Sequence, residues 1–102
     1  MITKTHGKKV LTIVTEAALE GALTREIEAL GATGYTITDA RGKGSRGIRS
    51  AGWDSSSNIR IEIVCSDATA EAITEHLEAQ YYSNYSMILY LTDAQVLRKQ
   101  KF

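Results

Sequence analysis

The 102-residue chain has no proline, a single cysteine, one tryptophan and one phenylalanine, and its formal net charge is +0. Each shortage excludes something. With Cys65 alone, neither an internal disulfide nor a CxxC redox or zinc motif can form. The two histidines, His6 near a frayed terminus and His76 in a polar stretch, suggest no metal pair. Twelve Lys plus Arg balance twelve Asp plus Glu, so total charge points to neither nucleic acid nor an anionic membrane. No apolar run approaches the roughly 20 residues of a membrane span. The opening MITKTHGKK lacks the apolar centre of a signal peptide. A cytoplasmic protein is expected, with one domain over 1–102 and a modest core that oligomerisation would help.

What is present is a clear alternation of strand and helix patterns. Val10 to Val14 (VLTIV) reads as a buried strand, after which Thr15 is placed to cap a helix. Leu19, Leu23, Ile27 and Leu30 share one helical stripe, and Gly31 suits a left-handed C-terminal cap. Tyr35 to Ala40 (YTITDA) alternates as a second strand. IRIEIVC, ending at Cys65, puts Ile59, Ile61, Ile63 and Cys65 on one face of a third strand and Arg60 and Glu62 on the other. Asp67 is placed to cap a second helix with Ala70, Ile73, Leu77 and Tyr81 on its stripe. Ser86 to Leu91 (SMILYL) is apolar almost throughout, which predicts a central or doubly buried fourth strand. The tail from Asp93 is a short strand or arm. The order β-α-β-β-α-β predicts an α+β, ferredoxin-like sandwich, with one sheet face left for a subunit partner to cover.

Charge is unevenly placed. Residues 41–52 (RGKGSRGIRSAG) hold four of the eight glycines and four basic residues with no acid. They open a loop, 41–58, of eighteen residues without apolar periodicity, far longer than a hairpin needs. Its glycines at 42, 44, 47 and 52 let backbone amides turn towards a common point. Arg46 and Arg49 offer planar donor forks, Lys43 a mobile charge and Ser45 a hydroxyl, a set suited to phosphate oxygens. GKGS is not a Walker A motif, because position 37 is Ile and no helix pattern follows. With few apolar anchors, the loop is expected to be flexible until a ligand orders it.

The motifs VTE after the first strand, GYT opening the second, GKGSR-x-x-RS-x-G in the loop, IRIEI in the third strand and YY-S-N-Y-S-x-I-x-Y around the fourth carry a resemblance. Over about residues 9–97 the chain resembles the PII-like signal-transduction family, and within it the cyanobacterial carbon-control SbtB branch. The loop lacks the uridylylated tyrosine and longer tip of ordinary PII proteins. The resemblance implies a homotrimer with effector sites for adenine nucleotides (cyclic AMP, AMP, ADP, ATP, cyclic di-AMP) in clefts between subunits. It also implies a membrane bicarbonate transporter of the SbtA type as partner, reached by conditional recruitment to the plasma membrane. By motif position it places Lys43, Gly44, Ser45, Arg46 and Arg49 on the phosphates and Gly34, Tyr35 and Thr36 along the cleft. Leu89 and Tyr90 fall towards base and ribose. Arg46, Ile48, Arg49 and Trp53 are the partner-facing candidates. A proteobacterial branch that binds ADP and bicarbonate is the alternative.

Other features have plainer readings. Cys65 reads as a buried hydrophobe, and His76, beside Glu75 and Glu78, as exposed. Glu16 and Glu20 read as a solvated helix face, and Tyr81, Tyr82 and Tyr85 as subunit-interface packing. No nucleophile–base–orienter set is visible, so an enzyme is not expected, although weak nucleotide hydrolysis stays open. Some members of the branch the chain resembles end in a cysteine-paired loop linked to redox-dependent nucleotide hydrolysis. QVLRKQKF has no cysteine, so that redox-dependent activity is not expected. An RNA-binding domain of the same topology would need exposed stacking aromatics on strand three, where IRIEIVC has none.

Overall fold

The apolar stretch at the start of the chain runs beyond its sequence pattern, forming strand β1 from His6 to Glu16. In the computed structural model, which describes residues 4–42, 57–98 and 102, a single 3₁₀ turn at Ala17–Leu19 leads into helix α1, Glu20–Ala29. Strand β2 (Thr36–Ala40), strand β3 (Asn58–Cys65), helix α2 (Asp67–Gln80) and strand β4 (Met87–Val96) follow. The sheet order is β2-β3-β1-β4, with each neighbouring pair antiparallel. This is the βαββαβ ferredoxin-like arrangement. The stretch 43–56, with Lys43, Gly44, Ser45, Arg46, Ile48, Arg49 and Trp53 and the flexibility expected of it, lies outside the described residues.

Both helices cover one face of the sheet. Leu23 and Ile27 of α1 and Ala70, Ile73 and Leu77 of α2 join Leu11, Ile13, Ile61 and Ile63 of the central strands in one buried cluster. The period of 3.6 in the helices and of 2 in the strands thus meets at a single apolar layer. Cys65 closes that layer, buried as its Ile neighbours are.

The helix ends are set by short-range chemistry. Gly31 takes φ +117, so its N–H donates to Glu28 O at 3.1 Å while Ala32 N–H donates to Ile27 O at 3.0 Å. Those two bonds satisfy otherwise orphaned carbonyls in the Schellman pattern. The α2 cap is Ser66 rather than Asp67: Ser66 Oγ accepts from Thr69 N at 3.2 Å. Asp67 moves into the first turn, where its charge favours the helix dipole. Thr15 caps nothing. It continues β1, and its Oγ1 donates to Ser86 O at 2.7 Å.

Three further expectations are corrected. Strand β4 is an edge, not a central strand, and Ile88, Tyr90 and Leu91 are exposed on it. Among the described residues, nothing covers its apolar run. The tail is part of β4 as far as Val96, pairing back to His6, so His6 sits in a ladder rather than a frayed end.

Candidate functional site

Opposite the helices, the sheet presents an open face built from the even-numbered strand residues. Register aligns Thr36, Glu62, Thr12 and Tyr90 in one row across β2, β3, β1 and β4. Thr38, Arg60, Val14 and Ile88 form the next. Arg60 and Glu62 make an ion pair in the middle of this face. Thr12 beside them is buried, whereas Thr36, Tyr90 and Ile88 are exposed.

Strand geometry places the cleft candidates. Gly34 and Tyr35 are exposed on the approach to β2, and Thr36 is its first residue. Tyr90 lies on the same face at the opposite edge, three strand spacings or about 14 Å away. Leu89 does not join them: its register partner is Ile13, and it packs against the buried core on the helix side. Within one chain the structure therefore does not bring the β2 residues and Tyr90 together. They meet only if one copy's β2 edge faces another copy's β4 edge.

The loop root is likewise distant from Gly34–Thr36. Ala40 pairs with Asn58 as the last rung before the chain departs, four residues and about 13 Å along β2 from Thr36. At this end Ala17 N–H donates to Ser57 O at 2.7 Å, so the turn after β1 clasps the returning loop. Glu16 Oε2 accepts from Ser86 N at 2.8 Å while Thr15 Oγ1 holds the Ser86 carbonyl. Three segments far apart in sequence are locked into one corner from which the basic loop emerges. Glu16 is thus not on a solvated helix face. Only the VTE motif hinted at its importance, and nothing local named its partner.

A second polar cluster was also beyond sequence reading. His76 Nε2 lies 2.6 Å from Glu26 Oε1, and Tyr81 Oη donates to Glu26 Oε2 at 2.7 Å, tying α1 to the end of α2. Tyr81 packs edge-on to His76 and leans on Tyr85. His76 is half-buried rather than exposed, and Tyr81 is buried inside its own subunit; only Tyr82 and Tyr85 remain free for an interface. Burial alone would lift the Glu26 carboxyl, but the bonds from Tyr81 and His76 outweigh it and hold it below its ordinary value. Burial, then the bond to Glu26, pushes the Tyr81 phenol up to about 12. The cluster thus joins the two helices through paired hydrogen bonds on one carboxylate. Among the described residues, no three His, Cys, Asp or Glu side chains converge as a metal site requires, and no helix is long and apolar enough to cross a membrane.

The family profile described as nitrogen regulatory protein P-II matches residues 8–101. Among solved structures, a PII-like signalling protein of Thermus thermophilus is 43% identical, with a TM-score of 0.83, covering 98% of this chain and 99% of that one. CPII of Thiomonas intermedia, a nitrogen regulatory PII-like protein, is 26% identical with a TM-score of 0.85, covering 99% and 98%. That protein was solved bound to ADP, AMP and bicarbonate, and also bound to ADP and bicarbonate.

Proposed function

We propose, from the premise that this chain belongs to the nitrogen regulatory protein P-II family, that it is a homotrimeric sensor of adenine nucleotides. The nucleotide lies in each cleft where the Gly34–Thr36 edge of one subunit faces the Tyr90 edge of the next. One observation carries the reading: candidates from β2 and β4 share the open face yet sit at opposite edges, so only an assembly completes a site. CPII, a full-length match solved with ADP, AMP and bicarbonate, supports adenine nucleotides as the ligand class. The protein works by binding rather than catalysis.

The basic loop supplies the phosphate contacts through Lys43, Gly44, Ser45, Arg46 and Arg49. Tethered at both ends beside the Ala40–Asn58 rung, its fourteen residues from 43 to 56 have a contour of about 46–50 Å. They reach at most about half of that, which still exceeds the roughly 13 Å back along β2 to Thr36. A nucleotide shifts the loop only through its differential affinity for two loop states, and the arginine–phosphate contacts provide that difference. The loop then presents Ile48 and Trp53 to a partner. In line with the SbtB-type motif, that partner is an SbtA-type bicarbonate transporter, and recruitment to the membrane is conditional on ligand.

Calorimetry with cyclic AMP, AMP, ADP, ATP and cyclic di-AMP, each with and without bicarbonate, tests the reading. Binding is expected in the micromolar range. Arg46→Ala should weaken it roughly 10- to 150-fold, as loss of a charge-assisted contact worth about 1.5–3 kcal/mol does. Unchanged affinity in an Arg46→Ala, Arg49→Ala double variant would remove the loop from the site. Bicarbonate dependence with ADP would favour the CPII-like alternative over the SbtB-like one.

A further inference from the structure

The β1–β4 ladder stops one rung short of where its register would carry it. Thr15 pairs with Met87 as the last rung, so the next would set Glu16 opposite Ser86. There the side chains of β1 take over, one from each face of the sheet. Glu16 Oε2 accepts from Ser86 N at 2.8 Å, and Thr15 Oγ1 donates to Ser86 O at 2.7 Å. A carboxylate is thus committed to a backbone N–H, a charge-assisted bond stronger than a neutral ladder bond. Thr15 is buried, which strengthens its own bond by keeping water away. On the other side Glu16 keeps its backbone rung with Asn58, in the row that Ala40 completes. That row is the last before the chain leaves for the basic loop, and the next residue, Ala17, holds the returning Ser57. Glu16 therefore joins two neighbours at once, the loop root through its backbone and the head of β4 through its carboxylate.

We propose that Glu16 is a positioning residue of the nucleotide site: by holding Ser86 it fixes the root from which the basic loop departs. That role rests on the nucleotide-sensor reading above and adds to it a residue that touches no ligand. Without the carboxylate the end of β1 is free to fray, and Ala17 N–H loses its fixed aim at Ser57 O. Ordering the root then becomes part of what binding costs. The role needs an acceptor for the Ser86 N–H rather than a negative charge, and a glutamine amide oxygen is such an acceptor.

ADP calorimetry on the full chain, with amide hydrogen exchange on the same proteins, tests this. Glu16→Ala should weaken ADP about two- to tenfold, as release of an ordered group of a site does. In the same variant the Ala17 and Ser86 amides should exchange faster while Ile61 in the core stays protected. Glu16→Gln should restore most of the affinity and the protection of both amides. Thr15→Val removes the hydroxyl that donates to the Ser86 carbonyl and should also weaken ADP, which keeps the question answerable if Glu16→Ala fails to fold. Wild-type affinity in Glu16→Ala and Thr15→Val would overturn the proposal while leaving the sensor reading intact. A Glu16→Gln variant as weak as Glu16→Ala would overturn it too, since charge and not the hydrogen bond would then be at work. Weak binding with an undisturbed Ala17 amide would overturn the link through the loop root. A wild-type protein indifferent to ADP and to every other adenine nucleotide would instead defeat the sensor reading, and the proposal with it.

Discussion

Glu26 uses both carboxylate oxygens to join the helices, one facing His76 and the other accepting from Tyr81. Its lowered pKa means the ionised form is the one the fold favours. The stability it contributes is therefore fully present above the ordinary carboxylate range and is lost as pH falls through the folded value. Tyr81 has the opposite sign. Its contribution is complete below about pH 10 and disappears as pH rises towards about 12. Tyr81→Phe should cost about 1–2 kcal/mol near neutrality and remove that alkaline loss. Urea midpoints of both proteins from pH 7 to 12 would check it, and parallel curves would refute the Tyr81 assignment. Cys65, whose thiol is raised by burial and then by Asp67, should react with a thiol reagent only when the chain opens. A fast, stoichiometric reaction of the native protein would contradict its burial.

At the scale of elements, two glycines separate structure from site. Gly31 ends α1 at φ +117, and a Cβ there would lie 3.0 Å from Thr69 Oγ1. Gly31→Ala should cost about 1–2 kcal/mol for the backbone conformation alone, seen as a lower thermal midpoint. Gly34 has nothing within 4 Å of where a Cβ would be, so Gly34→Ala should not lower stability. If Gly34 lines the cleft, that variant binds ADP more weakly while melting no earlier than wild type. Unchanged binding would take Gly34 out of the site. The legibility of these elements differed for physical reasons. Gly31 was readable because a helix stripe followed by glycine is a local pattern. Ser66 was misplaced by one residue because Ser and Asp both cap well, and only the end of β3 decides between them.

Among the described residues one sheet face is covered by the helices and the other is open. On the proposed reading, in which an assembly completes nucleotide clefts there, ligand should stabilise the fold. Nucleotide at 100 times its dissociation constant adds about 2.7 kcal/mol if only the folded protein binds it. For a domain of this size that corresponds to a midpoint rise on the order of 10 °C. A scanning-calorimetry series with ADP would show it; a midpoint indifferent to every nucleotide would leave the sensor reading without support. Core truncation acts independently of ligand. Ile61→Ala, at a fully buried central position, should cost about 2–5 kcal/mol, in the presence of ADP and in its absence alike.

The sequence by itself determined the order of elements and the inner apolar layer, because periods of 2 and 3.6 are local properties that no distant residue must supply. It also carried the family motifs and the cationic composition of the loop. Tertiary structure decided what depends on pairing. An apolar run such as MILYL reads the same in a central strand and in an edge awaiting a partner, and only the β2-β3-β1-β4 order tells them apart. Register put Leu89 and Tyr90 on opposite faces and Thr36 and Tyr90 on opposite edges of one face. The bonds of Glu16 to Ser86 and of Glu26 to His76 and Tyr81 join residues 50 to 70 positions apart. Such pairs leave no periodic trace, since hydrogen bonds between distant residues depend on where the chain returns in space, not on spacing along it.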